Sequence, residues 1–319
     1  MTEKEILNFE TDIEAKAVKW LWYPYIPLGK ITIMQGNSGI GKTMLALNIA
    51  AALSKGEPLP DDTAPREPIN IIYNTAEDGL SDTIKPRLLA AGADCTRINT
   101  INERVNPVTM TDGRLEESID EVGAKLLILD PIQAYLGAKI DMNKANEIRP
   151  IFAQLGRVAE DNECAIVLIG HQGKNQTYSE LQSLLGSTDQ VAAARSVLTV
   201  TKHPNDKTLS LINHTKSSLS ARGKSLSFCI DKNGKIVWGD FIDGLADTEE
   251  KATKRDFAKD FLLETLTNGS KSANEIVSAA CEKQISNKTL QRSKKELGII
   301  SYSEGGMWFW KLPKNKVVT

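Results

Sequence analysis

Eight consecutive residues, Gly36-Asn37-Ser38-Gly39-Ile40-Gly41-Lys42-Thr43, constrain this chain more than any other part of it. They match the pattern G-x-x-x-x-G-K-[ST], and their flanks are the ones that pattern requires. Ile31-Thr32-Ile33-Met34-Gln35 runs into them as a buried strand. Met44 to Ser54 leaves them as a helix, with Leu45, Ile49 and Leu53 four apart on one face. Glycines let a backbone bend round a polyphosphate and point successive N–H groups at its oxygens, and the helix N-terminus adds a favourable dipole. Lys42 is expected to reach the β- and γ-phosphates and the Thr43 hydroxyl to hold Mg²⁺. The stretch predicts a chain that binds a nucleoside triphosphate, with ATP and Mg²⁺ as the expected ligands.

Downstream, strands alternate with helices. Ile69 to Asn74, Lys125 to Asp130 and Ala165 to Gly170 read as strands, and Gly79 to Ala91 and Ala145 to Glu163 as helices. Continuous apolar strands separated by helices imply a parallel sheet covered on both faces. From Arg195 the rhythm changes to strands alone: Ser196 to Lys202, Thr208 to His214, Leu226 to Ile230 and Ile236 to Gly239. Asn205-Asp206 and Asn233-Gly234 mark turns between them. The expected fold class is therefore α/β, a mostly parallel sheet with helices on both faces that ends in antiparallel strands.

Hydrolysis needs more than phosphate binding: a second Mg²⁺ ligand, a carboxylate to orient water, a γ-phosphate sensor and a positive charge for the transition state. Asp130 ends a buried strand, where a carboxylate is costly unless it faces a site. Glu77 follows the strand Ile69 to Asn74, and ligands of open α/β sheets bind beyond the carboxyl ends of strands. It is the expected water-activating base, with Asp78 beside it as the alternative. His171-Gln172 ends another strand, where a polar pair can sense the γ-phosphate; the polar stretch after it, with Lys174, Asn175, Gln176 and Tyr178, is a candidate nucleic acid loop. Arg195, Lys216 and Arg222 are the cations that could reach a neighbour's γ-phosphate in a ring, or else are ordinary surface charges.

Charge divides the chain. Of 319 residues, Lys254 to Thr319 holds 12 basic against 7 acidic residues, while the remainder holds 27 against 34. A basic appendage on an acidic body suggests nucleic acid contact. Within it, Asp256 to Leu266, Ser272 to Gln284 and Ser286 or Asn287 to Leu297 read as helices, and Ile299 to Pro313 as a hairpin turning at Gly305-Gly306. Ser272 with Glu275 forms a capping box. Three helices and a hairpin is the winged-helix layout, with Lys288, Arg292, Lys294 and Lys295 displayed by the third helix, for DNA or for protein docking. The expected organisation is an ATPase domain over 1–239 (an N-terminal arm over 1–28), a linker over 240–253 and a winged helix over 254–319.

Four separated cysteines form no C-x-x-C, and three histidines make a metal other than Mg²⁺ an unexpected ligand. With no basic-then-apolar start and no apolar run near the ~20 residues of a membrane span, the expectation is a cytoplasmic protein with no membrane partner.

With Gly36–Thr43, Glu77, Leu126–Pro131, His171 and Ala193–Ser196 in order, the chain resembles the RecA-like ATPases. The likeness is greatest to plasmid RepA-type hexameric helicases and their phage and mobile-element relatives, over roughly Trp20 to Gly239. It implies a six-membered homo-oligomer with ATP at each interface. Matched onto the motifs, it implies Lys42 and Thr43 as phosphate and Mg²⁺ ligands, Asp130 as Mg²⁺ carboxylate, Glu77 as base, His171 as sensor and Arg195 as finger in trans. A winged helix departs from the minimal plasmid helicase, which leaves motor, loader or switch open. The expected function is an ATP-hydrolysing motor on single- or double-stranded DNA, probed by strand separation. The alternatives are a nucleotide-gated DNA-binding ATPase such as a recombination mediator, and a KaiC-like phosphotransfer switch.

Overall fold

A computed structural model of the chain describes residues 8–62, 66–104, 106–137, 140, 144–171, 193–243, 254–267, 269–283 and 285–313. These fall into two compact units, one up to residue 171 together with 193–243, the other over 254–313.

In the first unit the strands are β1 (Trp20–Trp22), β2 (Ile26–Pro27), β3 (Ile31–Gly36), β4 (Asn70–Thr75), β5 (Ile98–Asn99), β6 (Ala124–Asp130), β7 (Ala165–His171), β8 (Ser196–Lys202), β9 (Ser210–Ser217), β10 (Ser225–Ile230) and β11 (Ile236–Ile242). Nine of them form one sheet in the order β11-β10-β9-β8-β3-β7-β6-β4-β5. The six strands from β8 to β5 in that order are parallel, and β9, β10 and β11 continue antiparallel. The expected fold class is the observed one.

Helices cover both faces because the sheet is apolar on both. On one side α1 (Lys42–Ser54) and α2 (Lys85–Ala91) pack with Met34, Ile71, Ile128 and Leu198. On the other, α3 (Arg114–Val122) and α4 (Ala145–Asp161) pack with Ile33, Ile72, Leu127 and Leu168. Ile148, Phe152, Leu155 and Ala159 of α4 recur at three- and four-residue steps and are buried, so one stripe of the helix faces the sheet.

Several elements differ from the sequence expectation. The helix expected over Gly79 to Ala91 is divided, a wide π turn over Leu80–Ile84 leading into α2. Pro86 has no amide hydrogen, so the regular bond back to residue 82 cannot form, and the wider turn absorbs the loss. The last strand continues past Gly239 to Ile242, because Phe241 and Ile242 still pair with Leu226 and Ser225. Within the expected N-terminal arm, β1 and β2 pair as a ribbon, with Trp22 and Tyr25 fully buried at 4.5 Å between ring centroids. The indole N–H of Trp22 donates to Pro60 O at 3.0 Å, so the ribbon is anchored in the core.

The second unit contains α5 (Lys254–Leu266), α6 (Ala273–Glu282), α7 (Asn287–Glu296) and an antiparallel sheet of β12 (Lys271–Ser272), β14 (Met307–Lys311) and β13 (Ile300–Glu304), in that order. Phe261, Leu262, Ile276, Leu290 and Trp310 fill its core. Ser272 Oγ accepts from the Glu275 amide at 3.3 Å and Ser286 Oγ from the Thr289 amide at 3.2 Å, so both helix starts are capped as expected. Lys294 departs from the expected basic face: its ammonium lies 4.0 Å from the centroid of the Trp310 ring. The exposed cations of α7 are Lys288, Arg292 and Lys295, which share one face at steps of four and three. Trp308, at the hairpin tip, is 60% exposed, whereas Trp310 is buried.

Candidate phosphate-loop site

Parallel pairing brings the chemistry to one edge of the sheet. Gly36 ends β3 opposite His171 of β7 and Val200 of β8, and Thr75 ends β4 opposite Asp130 of β6. The phosphate loop, Asp130 and the Glu77 turn therefore leave neighbouring strands at the same end. At Gly36 a side chain is sterically excluded, since a Cβ would lie 2.4 Å from the Val200 carbonyl oxygen.

Lys42 opens α1 and is only 3% exposed. Its ammonium donates to Gly36 O at 2.8 Å and Asn37 O at 2.9 Å, which places the charge inside the loop. Burial lowers its pKa to about 8, and the nearby carboxylates of Asp130 and Glu77 oppose that shift. One residue on, Thr43 Oγ1 donates to Asp130 Oδ2 at 2.7 Å. Tyr73 donates to the same oxygen at 2.9 Å from its place on β4. Burial first, and then Asp130, raises the Tyr73 hydroxyl far above its ordinary range, so it stays a neutral donor. Thr43 and Asp130 thus present hard oxygen donors side by side next to the loop, a donor set that fits Mg²⁺.

Glu77 is exposed, while its acidic neighbour is committed elsewhere: Asp78 Oδ2 receives Arg87 Nη1 at 2.7 Å. Thr75 Oγ1 accepts from the amides of both Glu77 and Asp78 at 3.3 Å, tying the turn to the end of β4. The two acids that sequence alone left interchangeable are thereby told apart. The backbone of His171 lies beside Gly36, but its side chain, Gln172 and the polar stretch with Lys174, Asn175, Gln176 and Tyr178 lie outside the described residues.

The remaining cations are not brought to this edge. The Arg195 amide bonds to Ile31 O at 3.0 Å, at the entry end of β3, five residues of strand away from Gly36. Lys216 pairs opposite Val197 and donates to Ala194 O at 2.7 Å. Burial and then the Arg195 charge lower its pKa. Arg195 also lines a cleft of about 350 Å³ with Lys30, Arg149 and Arg157. Arg222 lies near the buried His214, whose Nδ1 accepts from the Gly223 amide at 2.8 Å and whose Nε2 meets Ser196 Oγ at 3.0 Å. A polyphosphate in the loop and the Arg195–Lys216 pair are thus at opposite ends of the same strands.

Tyr73 was missed by motif reading. The available signal was a hydroxyl inside a strand that is otherwise fully buried, Ile71-Ile72-Tyr73, where a polar tip needs a partner.

A family profile described as an AAA domain matches residues 6–177. A DNA repair protein RadA from Helicobacter pylori is 24% identical over 168 residues, which is 52% of this chain and 34% of that protein. A DNA repair protein RadA from Halalkalibacterium halodurans is 26% identical over 149 residues, 46% of this chain and 28% of that protein. The chain therefore spans about a third of the length of these curated relatives. The solved ATPase domain of a helicase superposes with a TM-score of 0.50 at 14% identity, covering 66% of this chain and 85% of that one. That likeness is one of fold, a RecA-like phosphate-loop ATPase core.

Proposed function

The chain belongs to the AAA domain family, and from that premise we propose that it is an ATP-hydrolysing DNA motor. In this reading it is a ring-forming, hexameric replicative helicase of a plasmid, phage or mobile element, working in the cytoplasm. One observation carries the reading. Lys42, Thr43, Asp130 and Glu77 gather at one end of the parallel strands, whereas Arg195 and Lys216 gather at the other. Within one copy, neither cation of the second group lies near the loop, so a head-to-tail neighbour is what would complete the site.

Bound as Mg²⁺–ATP, the nucleotide supplies the phosphoryl group and the metal neutralises its developing charge. Thr43 and Asp130 hold the ion, and the backbone from Gly36 to Gly41, with Asn37, Ser38, Gly39 and Ile40, cradles the phosphates. Lys42 leaves its loop carbonyls for phosphate oxygens. Glu77 orients the attacking water and takes its proton, His171 senses the γ-phosphate, and Arg195 with Lys216 and Arg222 acts from the neighbouring copy. The second unit, read as a winged helix over 254–319 after a linker within 240–253, presents Lys288, Arg292 and Lys295 to DNA phosphates.

Sizing by mass photometry with ATP and single-stranded DNA, paired with a strand-separation assay, tests this. A ligand-dependent six-fold assembly that unwinds supports the motor; a monomer that hydrolyses at full rate overturns it. The names of the RadA relatives favour a second reading, a nucleotide-gated DNA-binding ATPase such as a recombination mediator. It predicts DNA affinity that changes with nucleotide state and no strand separation.

A further inference from the structure

The phosphate loop has an apolar neighbour for which hydrolysis has no use. Ile230, the last residue of β10, is 39% exposed yet lies against the loop. A Cβ on Gly41 would sit 2.8 Å from Ile230 Cδ1, so this glycine, at φ 98°, leaves room for a side chain arriving from another strand. The turn after Ile230 is fastened to α1 by Asn48, which is 8% exposed. Asn48 Nδ2 donates to Gly234 O at 3.1 Å and its Oδ1 accepts from the Ile236 amide at 2.8 Å, so a side-chain amide pairs with the hairpin as a strand would. Gly234 itself, at φ 87°, packs close to Met44: a Cβ there would lie 2.9 Å from Met44 Cε. Ile230 is thereby fixed beside the loop.

Strand order sets the direction of a ligand in that loop. β7, β6 and β4 lie on one side of β3, and β8, β9, β10 and β11 lie on the other. Asp130 ends β6 and Glu77 follows β4, so the reacting γ-phosphate faces that side. The other end of a bound triphosphate, which carries the nucleoside, then points toward the β10–β11 turn. An aliphatic side chain left half-open beside an anion-binding loop gains from being covered by a flat apolar surface, and a nucleobase provides one.

We infer that Ile230 is the apolar support for the nucleoside of the bound triphosphate, and that Asn48 is a positioning residue acting through the turn. This rests on the reading that the loop binds a nucleoside triphosphate. Ile230 has no hydrogen-bonding group, so it supports adenine and guanine alike.

Isothermal titration of the full chain with Mg²⁺–ATP and with Mg²⁺–tripolyphosphate, which lacks the nucleoside, tests it. Ile230→Ala weakens ATP binding roughly tenfold, the effect of uncovering a few CH₂ groups, and leaves tripolyphosphate binding unchanged. Asn48→Ala shifts the two affinities in the same selective way, and Ile230→Phe restores ATP affinity. Equal loss for both ligands, or loss for neither, overturns the inference. A wild-type chain that binds neither ligand fails at the underlying nucleotide reading instead, and is recognised before any variant is compared.

Discussion

Thr43 Oγ1 and Tyr73 Oη donate to the same oxygen, Asp130 Oδ2, at 2.7 and 2.9 Å, so β4 and α1 together hold the carboxylate that ends β6. When a metal takes up the Thr43 oxygen, the Tyr73 bond still fixes the carboxylate. Tyr73→Phe removes that second donor. A hydrogen bond to a charged group is worth about 1.5–3 kcal/mol. The variant is therefore expected to need more than tenfold higher Mg²⁺ for half-maximal nucleotide binding, with affinity in excess Mg²⁺ nearly intact. A Mg²⁺ titration of binding checks this.

Glu77 is expected to separate binding from turnover. Glu77→Gln keeps the turn held by Thr75 but cannot take a proton from water, so hydrolysis falls by on the order of 100-fold or more while ATP affinity holds. Lys42→Ala removes the buried ammonium of the loop and abolishes turnover. Steady-state hydrolysis beside equilibrium binding distinguishes the two patterns, and Asp78→Asn, whose carboxylate pairs with Arg87, retains activity.

His214 makes stability depend on acid. Burial, and then the Arg222 charge, depress its pKa from 6.5 to about 4. Between those values the unfolded chain binds a proton that the folded chain refuses. Stability contributed by the neutral ring is thus complete above pH 6.5 and lost as pH falls toward 4, by on the order of 3 kcal/mol. Urea denaturation midpoints across that window should fall for the wild type. They should fall less for His214→Gln, whose amide does not titrate.

The exposed face of α7 gives a salt-dependent expectation. Replacing Lys288, Arg292 and Lys295 with alanine removes three phosphate contacts, so the slope of log affinity against log salt becomes shallower by about 0.9 per contact. Lys294→Ala, whose ammonium lies over Trp310, lowers the stability of its unit more than its DNA affinity. Fluorescence anisotropy at several salt concentrations, with thermal melts, measures both.

Much of the first unit was readable because its elements announce themselves locally. β3, β6 and β7 are near-continuous apolar runs, and the loop after β3 carries its own motif. Gly36–Thr43 and Asp130 were found by pattern and adjoin in space. Tyr73 and Ile230 were not, because what matters in each is a contact made across the sheet. Ile230 meets Gly41, far earlier in the chain, only once β10 has paired through β9 and β8 back to β3. Arg195 was readable as a cation before a strand, but its distance from the loop depends on β8 running parallel to β3. Short charged elements such as α3 carry too few apolar residues for periodicity to reveal them, and Pro86 converts an expected straight helix into a π turn and an α-helix.

The division of one catalytic site between two copies is tested most directly by mixing inactive variants. Glu77→Gln keeps Arg195, and Arg195→Ala keeps the loop and Glu77. In random mixed assemblies about a quarter of interfaces combine the intact halves, so hydrolysis should return to roughly a quarter of wild type. If each variant is inactive alone and the mixture stays inactive, or if Arg195→Ala alone hydrolyses at the wild-type rate, the shared site is contradicted.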